Sequence, residues 1–147
     1  MTELQAALQV THANTFVLYF KAHAFHWNVE GVHFPVYHEF FADFYEELFG
    51  AVDPLAENLR KLGVYAPTSL IQLYNSATIE ESTVVGTDLK EMLNSLSNDN
   101  NALIESLNKT FTLANIANEQ GLADFIAGRI DTHKKHAWML TSSLKGL

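Results

Sequence analysis

Apolar residues recur every three or four positions in three of the chain's four long segments, the spacing of one face of an α-helix. A shorter helix is expected at 68–75, after Pro67, and a loop at 76–86. Few segments alternate as a strand would, so the sequence predicts an all-α four-helix bundle with a short extra helix in the long B–C crossover. The four long helices are expected over Thr2 to about Val29 (A), about 34–62 (B), Thr87 or Asp88 to about Ala117 (C) and about 122–145 (D).

The apolar stripe of each helix predicts its core face. Thr2 is the expected N-cap of helix A, with Gln5 completing a capping box. Trp138 and Met139 are expected in the core from helix D. The stripe of helix A is Leu4, Leu8, Phe16, Tyr19, Phe20, Ala24 and Trp27. That of helix B is Tyr37, Phe41, Phe44, Leu48, Val52, Leu55, Leu59 and Leu62, and that of helix C is Leu89, Leu93, Leu96, Leu103, Leu107 and Phe111.

The composition is that of one globular domain, expected over residues 1–147, with 48% apolar residues and no cysteine. Absence of cysteine excludes disulfides and iron–sulfur clusters. The first residues do not resemble a targeting signal, and no apolar run approaches the roughly 20 residues of a membrane span. We therefore expect a cytoplasmic protein that does not bind a membrane.

The charge is strongly acidic, with nine Lys and Arg against seventeen Asp and Glu, for a formal net charge of −8. Binding to nucleic acid depends first on neutralising phosphates with Lys and Arg. Direct DNA binding is therefore disfavoured, whereas attraction of cations is favoured.

Two histidines and two carboxylates are candidate metal ligands: His26, His38, Asp53 and Glu57. At about 100° per residue, His38 lies at the edge of the core stripe of helix B, and the carboxylates face away from it. His38 and Asp53 are about 22 Å apart along one helix, too far for a shared metal. His26 and His38 flank a tight turn and could lie side by side. The four residues can meet only if two chains pair about a two-fold axis, which creates two equivalent sites.

Each ligand has an alternative explanation. His26 could be a core histidine, and His38 could pair with Glu39 or Asp43. Asp53 precedes Pro54, and Asp-Pro is typical of a helix start, so helix B could break and restart there with Asp53 as N-cap. The carboxylates could also be ordinary exposed acids. Phe40 and Phe49, outside the core stripe, could serve a subunit contact or pack under the long connection.

Beyond these patterns, the chain resembles the Dps-like miniferritins of the ferritin-like superfamily over nearly its whole length. The segments that carry the resemblance are HWN (26–28), Gly31, Phe34, His38, DPLAENLRKLG (53–63) and RIDTHKKHAWML (129–140). All spacings of the pattern H-x11-H-x14-D-x3-E are kept.

The resemblance implies an iron-storing ferroxidase. Its shell would be a homo-dodecamer that oxidises Fe(II) with hydrogen peroxide, or with dioxygen, and keeps the ferric mineral inside, protecting against oxidative damage. The di-iron or mono-iron site would lie at the two-fold subunit interface, with the four candidate residues as ligands and Glu57 as the candidate bridge. Trp27 would quench oxidising equivalents, although it could also be a core aromatic. His23 could support the site from outside or act as a weak extra ligand.

The chain departs from the family pattern at Pro54 and at Asn58, where arginine is common. We expect a bend near 50–54 that still presents Asp53. The resemblance implies an iron-entry pore lined by acids near the start of helix D. Glu119 and Asp124 lie in that region, and they are fewer acids than the resemblance leads us to expect. The other histidines are expected at the surface or at helix ends: His12, His33, His133 and His136.

Two other functions compete with the ferroxidase. One is a structural particle that coats DNA, which the acidic charge and the lack of a Lys-rich arm in MTELQAALQ disfavour. The other is a helical oligomer that binds Zn(II) or Mn(II) passively, which a displaced Asp53 would produce.

Overall fold

A computed structural model describes all 147 residues and contains five helices, no strand and one isolated β-bridge. The all-α prediction is confirmed, and the helix ends lie within a few residues of those expected. None of the helices combines the length and the apolar character needed to cross a membrane. The elements are α1 (Glu3–Asn28), α2 (Phe34–Lys61), α3 (Leu70–Ser76), α4 (Leu89–Ile116) and α5 (Gln120–Leu144).

The long helices pack side by side around one apolar core. Helix α1 packs along α2 and α4, and α5 packs along α4. The apolar stripes predicted for α2 and α4 lie in or against this core, except for Val52, which is half-buried outside it. The largest side chains with almost no exposure are Phe25, Phe41, Leu8, Leu18, Leu48, Leu55, Leu59, Met92, Leu93, Leu96, Leu103 and Leu107.

The core face of α1 differs from the prediction in its second half. Phe20 is 49% exposed and Trp27 is 56% exposed, so placing them in the core was wrong. The core face runs through Thr11 and Thr15, whose hydroxyl groups are hydrogen-bonded: Thr11 to Thr110 at 2.9 Å, and Thr15 to the Thr11 carbonyl at 2.8 Å. Burial of a hydroxyl group costs little free energy when the group is hydrogen-bonded, so threonine can occupy core positions among apolar residues. The pattern of apolar residues alone does not detect such positions.

The helix ends follow local capping rules. Thr2 and Gln5 form the expected capping box of α1, and Asp88 caps α4 through the backbone N–H of Glu91. Gly63 follows α2 with φ +85°, a conformation that favours glycine. Gly121 lies in the first turn of α5.

Helix α2 continues through Pro54, so the alternative in which Asp53 caps a second helix is wrong. Proline has no N–H, and the Gly50 carbonyl therefore loses its helical donor. Gly50 is exposed, and its carbonyl can bond to solvent instead. The buried Asn58 donates from Nδ2 to the Pro54 carbonyl at 2.8 Å, which adds a side-chain bond to the weakened turn.

The long connection between α2 and α4 is fixed to α1. Helix α3 packs on α1 and buries Leu73. Asn14 of α1 accepts hydrogen bonds at Oδ1 from the backbone N–H groups of Thr78 (2.8 Å) and Ile79 (3.2 Å). The prediction of a short helix followed by a loop is confirmed.

The C-terminal helix differs from the prediction at Trp138, which is 65% exposed and does not belong to the core. Met139 is half-buried. The inward face of α5 instead includes Arg129, His133 and His136, all buried. Polar residues occupy core positions here because they bond to one another and to α2 and α4.

Candidate metal site

The turn between α1 and α2 brings His26 and His38 together. Helix α1 ends at Asn28 and α2 begins at Phe34, so the two helices are antiparallel neighbours. Gly31 takes φ +120°, which lets the chain reverse in five residues. The end of the long connection holds the turn: the Gly86 N–H donates to the Asn28 carbonyl at 3.0 Å, and the Glu30 N–H donates to the Gly86 carbonyl at 2.9 Å.

The two imidazoles are held reciprocally. Nδ1 of His26 bonds to the main-chain carbonyl of His38 at 2.6 Å, and Nδ1 of His38 bonds to the carbonyl of His26 at 2.7 Å. The rings stack with centroids 3.8 Å apart and an angle of 16° between planes. A carbonyl only accepts, so each Nδ1 carries the proton and each Nε2 keeps a free lone pair. This is the tautomer that a metal-binding imidazole needs.

The alternatives for these histidines do not hold. Both side chains are half-buried rather than part of the core. The polar partner of each ring is the other residue's carbonyl, so His38 does not pair with Glu39 or Asp43.

The carboxylates lie elsewhere on the chain. Asp53 and Glu57 are one turn apart on α2, and both are exposed. No group of three or more potential ligand side chains within one chain could hold a metal ion. A single chain therefore brings together two of the four candidate ligands, His26 and His38.

An aromatic cluster borders the histidine pair. The His23 ring stacks on Tyr45 with centroids 3.8 Å apart, and it lies 4.1 Å from the ring of Trp27. Tyr19 bonds to His23 Nδ1 at 3.0 Å. Burial, with a further contribution from the charge of His26, lowers the pKa of His23. Trp27 is not the core aromatic that the alternative explanation required, because it is exposed beside the candidate site.

A second polar cluster, inside the bundle, was missed by the sequence patterns. Arg129 donates to both carboxylate oxygens of Glu47, at 2.5 Å and 2.9 Å, and to Nε2 of His133 at 2.8 Å. Nδ1 of His133 bonds to Oδ1 of Asn100 at 2.8 Å, and Nε2 of His136 bonds to Glu47 at 2.8 Å. The spacing of Ile126, Arg129, His133, His136 and Leu140 along one face of α5 would have indicated it.

Charge and burial in this cluster shift two pKa values. Burial alone would raise the pKa of Glu47, but hydrogen bonds and charge from His136 and Arg129 outweigh it and lower the pKa to about 2. Burial, with the charges of Arg129 and His136, holds the pKa of His133 well below its usual value. His133 is therefore neutral, as its acceptor role at Nε2 requires.

The expectation of surface or helix-end positions was wrong for three other histidines. His12, His133 and His136 are buried, and burial also lowers the pKa of His12. His33 is exposed at the residue that precedes α2, as expected.

Comparison with known proteins agrees with this architecture. Residues 5–147 match the ferritin-like domain family. The chain is 36% identical over 133 residues to the DNA protection during starvation protein of Brevibacillus brevis, covering 90% of this chain and 89% of that protein.

Solved structures give the same result. Antigen TpF1 of Treponema pallidum superposes with a TM-score of 0.92 at 29% identity, covering 97% of this chain and 92% of that one. The Dps protein of Vibrio cholerae O1, described as a ferritin-like diiron-carboxylate protein, superposes with a TM-score of 0.91 at 26% identity, covering 97% and 89%.

The fold thus defines a ferritin-like bundle, in which each chain brings two of the four candidate ligands together. The chain belongs to the Dps-like miniferritins of the ferritin-like superfamily. Membership in this class supports a role in iron sequestration and in protection against oxidative stress.

Proposed function

We propose that this protein is a ferroxidase that oxidises Fe(II), with hydrogen peroxide as the preferred oxidant, and stores ferric iron in a hollow dodecameric shell. The observation that carries the proposal is the reciprocal hydrogen bonding of His26 and His38. It fixes both rings and leaves both Nε2 atoms available to a metal ion. Imidazole nitrogen and carboxylate oxygen together suit iron.

The site is shared between two chains. His26 and His38 of one subunit meet Asp53 and Glu57 of a two-fold-related subunit, and the contact is isologous, so each dimer has two sites. In support, both carboxylates are exposed. The distance of about 22 Å from His38 to Asp53 along α2 rules out a site with all four ligands from one chain.

Exposed apolar side chains support the subunit contact. Phe20 is 49% exposed, and Trp27 and Phe49 are each 56% exposed. Trp27 packs against the ring of His23 and Phe20 against Trp27, while Phe49 packs against Tyr19. Leu70 and Ile71 on α3 are exposed as well. Apolar surface on this scale is typical of a buried interface in an assembly.

The chemistry follows from the donor set. The carboxylates offset the charge of iron and favour the ferric product, and Glu57 is the residue proposed to bridge two ions. Two Fe(II) ions at one site supply both electrons that reduce peroxide to two hydroxide ions or water, so that no hydroxyl radical is released. Trp27, next to His26 in the chain, would take up stray oxidising equivalents.

The formal charge of −8 favours uptake of cations over binding of nucleic acid. We therefore propose an iron-handling protein of the cytoplasm that does not bind DNA directly and does not bind a membrane.

Stopped-flow absorbance tests the ferroxidase directly. Anaerobic protein mixed with Fe(II) and then with peroxide should form ferric product faster than buffer, while analytical ultracentrifugation should give a dodecamer that gains mass with iron. His26→Gln should remove the fast phase. His33→Gln should keep it, because His33 is exposed in the turn and makes no hydrogen bond to the pair. Binding of iron with oxidation no faster than buffer would leave only passive metal binding and would exclude the enzyme.

A further inference from the structure

The buried polar cluster of α2, α4 and α5 surrounds one cation, the guanidinium of Arg129. Its Nη2 atom lies 2.9 Å from Oε1 of Glu47 and 2.8 Å from Nε2 of His133. Its Nη1 atom donates to the second oxygen of Glu47 at 2.5 Å. Nε2 of His136 lies 2.8 Å from the same Oε1 of Glu47. One carboxylate and two imidazoles are therefore gathered around this charge.

His133 has the protonation state and the fixed orientation of a metal-binding imidazole. Its Nδ1 donates to Oδ1 of Asn100 at 2.8 Å, and Nδ2 of Asn100 donates to the main-chain carbonyl of His133 at 2.9 Å. Both residues are fully buried. Nε2 therefore keeps its lone pair and directs it at Arg129. In metal sites, a histidine ligand is held in the same way, with its second ring nitrogen donating to an oxygen.

The guanidinium fits this donor set only in part. Nε of Arg129 is buried and has no hydrogen-bond partner. A buried N–H group without a partner costs free energy, and a metal ion in the same place would carry no such group. The cluster therefore neutralises the charge of Arg129 without satisfying all of its N–H donors.

The spacing of the donors is close to that of a divalent-cation site. Zn(II) binds imidazole nitrogen and carboxylate oxygen at about 2.0–2.2 Å in tetrahedral sites. An ion at the position of Nη2 would need Oε1 of Glu47 and Nε2 of His133 to move inward by about 0.7 Å each. Two donors of one such ion are about 3.4 Å apart. Oε1 of Glu47 and Nε2 of His136 are already 2.8 Å apart.

Small ions have a route to this cluster. A cavity of about 420 Å³ is lined by Glu47 and His136, together with Asp43 and Thr132. The original chain nevertheless has no group of three or more potential ligand side chains that could hold a metal ion. Arg129 is the side chain that lies between Glu47 and His133, since one of its nitrogens bonds to both.

We propose that Arg129 occupies a divalent-cation site inside each chain and blocks it, with Glu47, His133 and His136 as the ligands of the blocked site. Removal of the guanidinium opens the site to Co(II), Zn(II) or Fe(II). Nε2 of His136, which donates to Glu47 in the original chain, gives its proton to solvent when it binds the ion. The block confines metal ions to the site shared between two chains. This last consequence rests on the proposed function, whereas the blocked site does not.

Binding of Co(II) to the assembled protein tests the blocked site. The shared site is first silenced by His26→Gln and Asp53→Asn, and Arg129→Ala is added to that background. The Arg129→Ala protein should bind one further Co(II) per chain, with the strong visible absorption of a tetrahedral ion. Arg129→Lys, which keeps a positive charge in the cluster, should not gain this ion. Adding Glu47→Gln to Arg129→Ala should remove it.

Diffraction at the cobalt absorption edge gives the position of the ion. Crystals of the Arg129→Ala protein soaked in Co(II) should show an anomalous peak between Glu47, His133 and His136. No further Co(II) in solution, or a peak away from these three residues, would overturn the proposal. So would equal gain of Co(II) in the Arg129→Lys protein.

Urea unfolding gives a second measurement, because loss of Arg129 removes buried hydrogen bonds and lowers stability. Co(II) should raise the urea midpoint of the Arg129→Ala protein and leave that of the Arg129→Lys protein unchanged. Folding of Arg129→Ala only in the presence of Co(II) would also support the site. Failure to fold with or without Co(II) would show that the ion cannot replace the guanidinium, and the proposal would fail.

The blocked site and the ferroxidase can fail separately. Under anaerobic conditions, Arg129→Ala in the silenced background should bind one further Fe(II) per chain. If the original protein does not oxidise Fe(II) but Arg129→Ala gains Co(II), the ferroxidase fails and the blocked site stands. If the original protein oxidises Fe(II) rapidly but Arg129→Ala gains no Co(II), the ferroxidase stands and the blocked site is refuted.

Discussion

His26 and His38 each bond through Nδ1 to the main-chain carbonyl of the other, at 2.6 Å and 2.7 Å. This exchange ties the end of α1 to the start of α2 across the turn. Each ring is oriented by a carbonyl that belongs to the other histidine, so neither can rotate without releasing the other. The Nε2 atoms that the proposed site would use are therefore held in place without a metal.

This geometry predicts the tautomer of both histidines. In the metal-free protein, His26 and His38 should carry the proton on Nδ1, because only an N–H can donate to the carbonyls. Nitrogen-15 NMR of the imidazole rings at neutral pH measures this directly. His33, which is exposed, serves as the control and should show the mixture of tautomers expected of a free ring. Protonation on Nε2 in either paired ring would contradict the arrangement.

Mixed assemblies should reveal a site built from two chains. His38→Ala and Asp53→Ala should each abolish fast oxidation of Fe(II). In a random equal mixture, about half the dimers are mixed, and each mixed dimer keeps one of its two sites intact. The mixture should then recover about a quarter of the original activity.

The control for this experiment is a mixture of His26→Ala and His38→Ala, which alters the same side of the site in both chains. It should recover nothing. No recovery in the first mixture, with mixed assembly verified by mass spectrometry, would indicate a site within one chain and would end the two-fold proposal.

The fold was predictable where apolar residues alone form the core face. The stripe of α2 runs through Phe41, Leu48 and Leu55, and all three are buried. In α1 the core face passes through Thr11 and Thr15, which the apolar pattern treats as polar surface. In the second half of α1 the core face runs through Leu18, Ala22 and Phe25, whereas the prediction placed Phe20 and Trp27 there, and both are exposed.

For the candidate site, the sequence allowed prediction of the turn and of the residues that it brings together. A tight turn between two helices brings His26 and His38 together, and this expectation is confirmed. Their reciprocal bonds could not be predicted, because they depend on where two main-chain carbonyls fall. The buried cluster of Glu47, Arg129 and His133 was not predicted for a similar reason, because its burial depends on hydrogen-bond partners from different helices.

The free energy of unfolding should decrease in two steps as the pH falls. His133 has a folded-state pKa well below that of the unfolded chain, so the unfolded state binds a proton first as the pH falls below about 6.5. Glu47, with a pKa lowered from 4.5 to about 2, adds a second loss as the pH falls from about 4.5 toward 2. Urea midpoints at fixed protein concentration should decline through both ranges.

Variants of two buried histidines test which groups cause the loss of stability between pH 7 and pH 5. The lowered pKa of His12 acts in the same direction as that of His133. His133→Gln should lower stability at neutral pH by about 1–3 kcal/mol, because Arg129 and Asn100 lose a buried partner. It should also flatten the dependence between pH 7 and pH 5, and His12→Leu should flatten it further. An unchanged slope in the double variant would show that other groups control it.

The ion pair of Arg129 with Glu47 should stabilise the folded chain. Arg129→Met leaves the carboxylate of Glu47 in a half-buried position without its two-pronged partner, and a loss of about 2–3 kcal/mol is expected. The double variant Arg129→Met with Glu47→Gln should recover part of this loss, since the uncompensated charge is gone. Chemical denaturation of the set measures the coupling. Equal stability of the single and double variants would show that solvent stabilises the charge of Glu47 in the absence of Arg129.

Replacing Pro54 should stabilise α2. Pro54→Ala restores an N–H donor to the Gly50 carbonyl and removes the ring that crowds it, and proline costs about 3 kcal/mol inside a helix. The freer unfolded chain offsets about 0.4–1 kcal/mol of that gain, so a net increase of about 2 kcal/mol is expected. Thermal unfolding measures it, with Ala56→Gly in the same turn as a control that should lower stability by about 1 kcal/mol. A decrease for Pro54→Ala would mean that the proline fits a local shape that an ordinary helix cannot provide. Fe(II) oxidation by the same variant then tests whether that shape is what presents Asp53 to its partner.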